Sequence, residues 1–263
     1  MRSPGVKMRV ELRAASSDGV GEAVVERTDG SHHVQATLGT PIRQAHFNFA
    51  PSYTPLNHGS FGTFPSSVRD RQRTLRDETE ARPDTSIRFA YPRLLQQARE
   101  AVAPLLGAAT DEVVLLPNAT TAVNIVLRNL CQRESVMVLY FSTIYPSCLK
   151  TIQSLEEETA GAVTSHCVDL AYPVEDYEIT DRFRAAVEEL ASARIDAKGR
   201  VTVAVFDTVL TFPGVRFPWE PLVRICKEYG VMSCVDGAHG VGHIDLTHVG
   251  REGPDFLVSN CYK

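Results

Sequence analysis

Asp236 and Lys263 are the residues whose types and surroundings most directly suggest chemistry. Asp236 closes the apolar run Val231-Met232-Ser233-Cys234-Val235, and Lys263 closes Pro254-Asp255-Phe256-Leu257-Val258-Ser259-Asn260-Cys261-Tyr262. A lysine at the carboxyl edge of a sheet is partly desolvated, which lowers its pKa and leaves the amine nucleophilic. A carboxylate at a buried strand end needs a partner, because desolvating an isolated charge is costly. An amine able to form a Schiff base, beside an acid able to keep a pyridine nitrogen protonated, is the pair that pyridoxal 5'-phosphate requires. Each residue also has an ordinary reading. Lys263 stands at the end of the chain, and Asp236 with His239 and His243 spells Asp-x-x-His-x-x-x-His, a fair zinc pattern on a helix. Gly237, Gly240 and Gly242 oppose a helix there, so the metal reading ranks below the cofactor.

Other strand ends add further groups. In open α/β sheets, ligands bind beyond the carboxyl ends of the strands. Pro117-Asn118-Ala119-Thr120-Thr121 follows a short apolar run and opens a helical stretch. Backbone N–H groups and hydroxyls at a helix start suit a phosphate, although Asn118 or Thr120 taken alone reads as a helix cap. Ser142-Thr143-Ile144-Tyr145-Pro146 follows the next run, and Tyr145 offers a ring to a planar cofactor. In isolation it reads as a loop tyrosine packed on the sheet edge. Asp207-Thr208, then Thr211, Pro213-Gly214 and Arg216, follow a third run, with Arg216 either a fork for an anion or a solvated loop residue.

The elements that must position these groups alternate regularly. Strand-like 113–116, 136–141, 162–168, 201–206, 231–235 and 256–258 are interleaved with helical stretches over 120–130, 146–158, 180–193 and 220–229. The strands are continuous apolar runs, as a sheet covered on both faces requires. The pattern predicts an α/β fold, a doubly wound, mostly parallel sheet with helices on both faces. Upstream, residues 1–40 are turn-rich with little periodicity and read as a poorly ordered extension. Residues 41–110 carry a Gly-rich loop (57–65) and two helices, at about 66–81 and 92–106. Residues 111–263 form the cofactor-binding part.

Composition narrows the class. Lys and Arg number 27 against 32 Asp and Glu, a net charge of −5, which leaves no electrostatic footprint for nucleic acid. No apolar run approaches the roughly 20 residues that span a bilayer. The N-terminus has neither a signal peptide's apolar stretch nor an Arg-rich, acid-poor transit pattern. Six cysteines show no CxxC pair and no zinc spacing, so a reducing cytoplasm is the simplest setting.

Asn57-His58-Gly59-Ser60-Phe61-Gly62, Pro117-Asn118-Ala119-Thr120, Val235-Asp236-Gly237-Ala238-His239 and Ser259-Asn260-Cys261-Tyr262-Lys263 occur in one order and spacing. Together they resemble the class-V aminotransferase family of fold-type I pyridoxal phosphate enzymes. Within it the chain resembles the isopenicillin-N-epimerase-like branch, including fungal hercynylcysteine sulfoxide lyases of ergothioneine biosynthesis. Phe206-Asp207-Thr208 and Pro213-Gly214-Val215-Arg216-Phe217-Pro218-Trp219 are also like those lyases. The resemblance implies that Lys263 is the Schiff-base lysine and Asp236 the partner of the ring nitrogen. It implies Ala119 and Thr120 at the phosphate, Tyr145 against the ring, His239 beside the cofactor's oxygen, and Asn57 and His58 on the substrate side. The chain departs from the family in carrying Tyr262 where a histidine is usual. Family members also continue past the lysine into a C-terminal small domain that this sequence lacks.

The expected activity is therefore a pyridoxal phosphate-dependent C–S lyase acting on a cysteine conjugate, such as a sulfoxide, within a cytoplasmic homodimer. An epimerase or a cysteine desulfurase of the same family is the alternative enzyme. A desulfurase needs a nucleophilic cysteine on a mobile loop, and Cys234 and Cys261 read as too deep in strand-like sequence for that role. A truncated, non-catalytic fragment is the competing reading from outside enzymology.

Overall fold

The apolar runs become the strands of a parallel sheet. The structure, a computed structural model, describes residues 8–13, 22–27, 34–37, 40–131, 135–192 and 201–261. Five strands, β4 (Val136–Phe141), β5 (Val163–Val168), β6 (Val201–Asp207), β7 (Met232–Asp236) and β8 (Phe256–Val258), pair in the order β5-β4-β6-β7-β8, all in parallel. The first of them lies inside the sheet, and the chain winds outward from it in both directions. That is the doubly wound arrangement, whose ligand crevice opens where the winding reverses, between β4 and β6.

Side chains alternate across these strands and sort into two cores. Val136, Val138, Val203, Val205, Cys234 and Val258 pack with helices α6 (Ala119–Cys131) and α7 (Pro146–Glu158). Leu139, Phe141, Ala204, Phe206 and Val235 pack on the other face, with α8 (Asp176–Ser192) and α9 (Trp219–Tyr229). Phe183 of α8 stacks on Phe141 at 5.6 Å, and Phe217 meets Phe141 edge-on at 5.0 Å. Trp219, Phe183, Phe217 and Phe206 are all essentially excluded from solvent, so this aromatic layer anchors its face of the sheet.

Two compact units form, one within residues 1–86 and one across 87–262. In the first, β1 (Met8–Arg13), β2 (Glu22–Arg27) and β3 (Val34–Thr37) make an antiparallel sheet within the stretch that the sequence marks as an extension. They are followed by α1 (Thr40–His46), α2 (His58–Phe61), α3 (Ser66–Ala81) and α4 (Pro83–Thr85). The second opens with α5 (Tyr91–Leu106), which ends at Gly107 in the left-handed conformation (φ 59°). Gly107 is required twice over, because a Cβ there would lie 2.0 Å from the Thr247 carbonyl oxygen, beside α10 (Val249–Glu252).

One expected strand is absent from the ladder. Residues 113–116 follow a 3₁₀ turn (Thr110–Glu112) and run extended, but no described strand pairs with them. Val114 is 73% exposed, and Leu115 and Leu116 are also open. An apolar run alone does not make a strand. It needs a neighbour whose backbone groups complete the ladder.

Candidate active site

Asp236 is the last residue of β7 and is 4% exposed. Its Oδ1 accepts the Ala238 N–H at 2.9 Å, and its Oδ2 accepts the Cys148 thiol at 3.7 Å. The first contact comes from the turn that leaves β7, the second from α7, so the carboxylate is gripped from two elements. Burial, then the charge of Asp236, pushes the Cys148 thiol far up, so that thiol is a neutral donor. The turn after Asp236 is fixed by its neighbour. Gly237 N–H donates to the Val258 carbonyl at 2.6 Å, and Ser259 Oγ–H donates to the Gly237 carbonyl at 2.6 Å. Gly240 closes the turn by donating to the Gly237 carbonyl at 2.8 Å. His239 sits half-buried within it.

Asp207, the last residue of β6, is the register partner of Asp236 across the two strands and is 5% exposed. Alternation places both carboxyls on the face of Val203, Val205 and Cys234, toward α6 and α7. Burial, and then the charge of Asp236, raises the Asp207 pKa well above the carboxylate range. Two buried acids side by side make this edge of the sheet suited to a cation.

The α6 N-terminus lies on the same face. Asn118 Oδ1 accepts the Thr121 N–H at 2.8 Å, the ordinary capping bond. Ala119 N–H donates to Asn260 Oδ1 at 3.2 Å, joining the helix start to the segment after β8. Thr120 is half-buried and opens onto a groove of about 420 Å³ between α6 and α7, lined also by Asn124, Arg128, Ser147, Lys150 and Thr151. Tyr145, at the head of α7, is half-buried and packs against the same core. Thr143 Oγ1, in the turn after β4, is buried without a hydrogen-bond partner among the described residues.

Seven of the eight site residues singled out in the sequence fall within the described structure. Asp236, His239, Ala119, Thr120 and Tyr145 share the 87–262 unit, and Ala119, Tyr145 and the Asp236 contact Cys148 belong to one core cluster. His58 belongs to the other unit, where its ring meets Phe47 and Phe49 edge-on at 5.7 and 6.2 Å. Asn57 precedes it there as the residue before α2. Lys263 and Tyr262 lie outside the described residues. Cys261 corrects an expectation: it is exposed, because the ladder ends at Val258 and the backbone beyond leaves the sheet. Among the described residues no cluster of three or more His, Cys, Asp or Glu is placed to hold a metal ion.

Sequence reasoning passed over Asp207, Cys148 and Asn260 as site residues. Asp207 carries the signal that singled out Asp236, an acid closing an apolar strand. Nothing in the sequence marks Cys148, because its contact exists only once α7 lies across β7.

A family model described as Aminotransferase class-V matches residues 82–263. The chain belongs to the class-V aminotransferase family. An L-cysteine desulfhydrase-like protein of Epichloe uncinata is 36% identical over 227 residues, covering 86% of this chain and 48% of the relative. The hercynylcysteine sulfoxide lyase of Schizosaccharomyces pombe is 28% identical over 218 residues, covering 83% and 53%. This class-V chain thus spans about half the length of the curated relatives it matches. Its fold is also that of a cystine C–S lyase solved with cysteine persulfide, at a TM-score of 0.66 and 18% identity, covering 81% of this chain and 54% of that one. Pyridoxal phosphate is the cofactor of this family, and the class-V chain's residues fit it in kind. They offer a buried acid for a ring nitrogen and a helix start for a phosphate.

Proposed function

We propose that this chain carries the cofactor-binding part of a pyridoxal phosphate-dependent C–S lyase acting on a cysteine-derived amino acid. The observation that carries the reading is the Asp236 carboxylate, buried at a strand end and aligned by Ala238 N–H and the Cys148 thiol, in a class-V chain. Asp236 would hold the ring nitrogen's proton, Thr120 and Ala119 the phosphate, Tyr145 the ring face, and His239 the ring oxygen. Lys263 would carry the cofactor, with Asn57 and His58 on the substrate side. When bound, the cofactor supplies an electron-accepting ring that makes the Cα proton of an amino acid acidic. The Lys263 amine would accept that proton as general base, and sulfur would leave Cβ with the electron pair of its bond. Water would then hydrolyse the released three-carbon enamine to pyruvate and ammonia. The finer assignment, a cysteine sulfoxide as in ergothioneine biosynthesis, is supported by the fungal sulfoxide lyase among the relatives.

Burial pushes Cys234 up to about 12 and also raises Cys148, which disarms both as desulfurase nucleophiles and leaves the exposed Cys261 as the thiol that a desulfurase reading would need. All six thiols are free, in keeping with a cytoplasmic setting, and no helix of the described residues is long and apolar enough to cross a membrane. A homodimer belongs to the same reading and is tested by sedimentation.

The purified protein with added pyridoxal phosphate should show the absorbance of lysine-bound cofactor, and Lys263→Ala should abolish it. Absence of that band in the unmutated protein overturns the cofactor assignment. Pyruvate released from cysteine sulfoxides supports the lyase. Inverted amino acid without pyruvate means an epimerase.

A further inference from the structure

We propose that Asp207 is the proton-carrying partner of Asp236, a positioning residue whose neutral carboxyl leaves Asp236 as the single negative charge at this edge of the sheet. The inference rests on the reading of Asp236 as the acid that faces the cofactor ring. The two residues are register partners at the ends of β6 and β7, both buried and both on the face covered by α6 and α7. Two acids held side by side out of water do not both ionise, so one of them keeps a proton. Their contacts decide which. Asp236 accepts a backbone N–H on one oxygen and a thiol on the other, and both donors favour its charged form. The surroundings of Asp207 act the other way, since burial and the Asp236 charge together favour its neutral form.

Other groups nearby reinforce this assignment. Among the described residues, the ionisable groups that interact with Asp207 include Asp236 on β7, Cys148 on α7 and Tyr172 in the segment between β5 and α8. Burial raises both Cys148 and Tyr172, so each is neutral near pH 7. None of these three groups supplies a cation that would stabilise a second carboxylate. A single charge at Asp236 matches the single charge of a protonated ring nitrogen, and a second would be left in excess.

The test uses cofactor-free protein. A protonated carboxyl has an infrared C=O band that shifts in D2O and is distinct from a carboxylate. At pH 7 the wild-type protein should show such a band, Asp207→Asn should lose it, and Cys148→Ala should keep it. Persistence of the band in Asp207→Asn, or its loss in Asp236→Asn alone, overturns the assignment.

A pH profile supplies a readout that a merely structural role would not move. The folded chain holds the Asp207 proton to higher pH than the unfolded chain, whose value is about 3.9. Stability from this group is therefore full below about pH 4 and declines as pH rises, until Asp207 ionises in the folded protein. The thermal midpoint of Asp207→Asn should decline less over pH 5–8 than that of wild type, and an unchanged slope overturns the proposal. Should Asp207→Asn fail to fold, ¹³C-carboxyl NMR of the wild type decides instead. An aspartate still protonated above pH 6 supports the pair, and none overturns it.

The two readings fail separately. A protonated Asp207 in a protein without affinity for pyridoxal phosphate removes the cofactor role and leaves the pair standing. Cofactor binding without a protonated Asp207 does the reverse.

Discussion

Cys148 of α7 donates its thiol to Asp236 of β7, so the orientation of the candidate cofactor acid depends on how one helix seats across the sheet. The second oxygen of Asp236 is held by Ala238, only two residues on. The acid is thus fixed both by its own turn and by packing, and the two can be separated by mutation.

Asp236→Asn should weaken pyridoxal phosphate binding by about tenfold or more, since a hydrogen bond to a charged group contributes about 1.5–3 kcal/mol. The same change should lower the thermal midpoint of the cofactor-free protein, because an amide has one acceptor oxygen where Ala238 N–H and the Cys148 thiol donate to two. Spectroscopic titration and thermal melting check the two signs independently.

Phe183→Ala should cost about 3–5 kcal/mol of stability, the range for emptying an aromatic site in a packed core. Its ring stacks on Phe141 and meets Phe206 edge-on at 6.0 Å, and the site cannot collapse without disturbing both strands. Urea denaturation followed by fluorescence measures the loss, and a cost under about 1 kcal/mol contradicts this packing.

Gly240→Ala should destabilise by about 1–3 kcal/mol through overpacking. A Cβ at Gly240 would lie 2.7 Å from Thr208 Oγ1 and 3.1 Å from a Leu246 methyl group. The double variant Gly240→Ala with Thr208→Ala removes the nearest of these atoms, so its cost should fall below the sum of the single changes. Additivity in that cycle would show that the contact is not the cause.

Glu158 is held down to about 2 by its hydrogen bonds to Arg128 and Ser154, on the solvent side of α6 and α7. Its contribution is present above the unfolded chain's value, about 4.3, and is lost as pH falls toward 2. An exposed pair of this kind contributes little. Glu158→Gln should therefore shift the neutral-pH midpoint less than either core change above, and added salt should shrink the difference further.

Much of the fold was legible in the sequence because the two cores are written as alternation within apolar runs. Val136, Val138, Leu139 and Phe141 specify both faces of one strand, and the helix at Ser66–Ala81 begins and ends where the sequence places it. The 113–116 run misled because composition reports burial tendency and not the presence of a pairing strand. At the site, Asp236 was legible because an acid closing an apolar strand is anomalous. Asp207 carried the same mark but stood outside the motif set that drew attention to its neighbour. Cys148 was not legible, since it acts through a contact with a residue far along the chain, and such contacts leave no local pattern; Asn260 stood inside a quoted motif, but its bond to Ala119 did not show there.

The bond from Ala119 N–H to Asn260 spans 141 positions of sequence, and this gives the site an order of assembly. During synthesis at roughly 5–20 residues per second, the start of α6 emerges well before the segment that completes it. The helix and the central strands can collapse early, while the anion-facing corner waits for residue 260 to clear the ribosome. A long-range contact of this sort forms late and slowly. The nascent protein would then pass through a stage in which its scaffold is formed while the start of α6 still lacks its Asn260 contact, so that this corner of the fold takes its final shape only after residue 260 has been made.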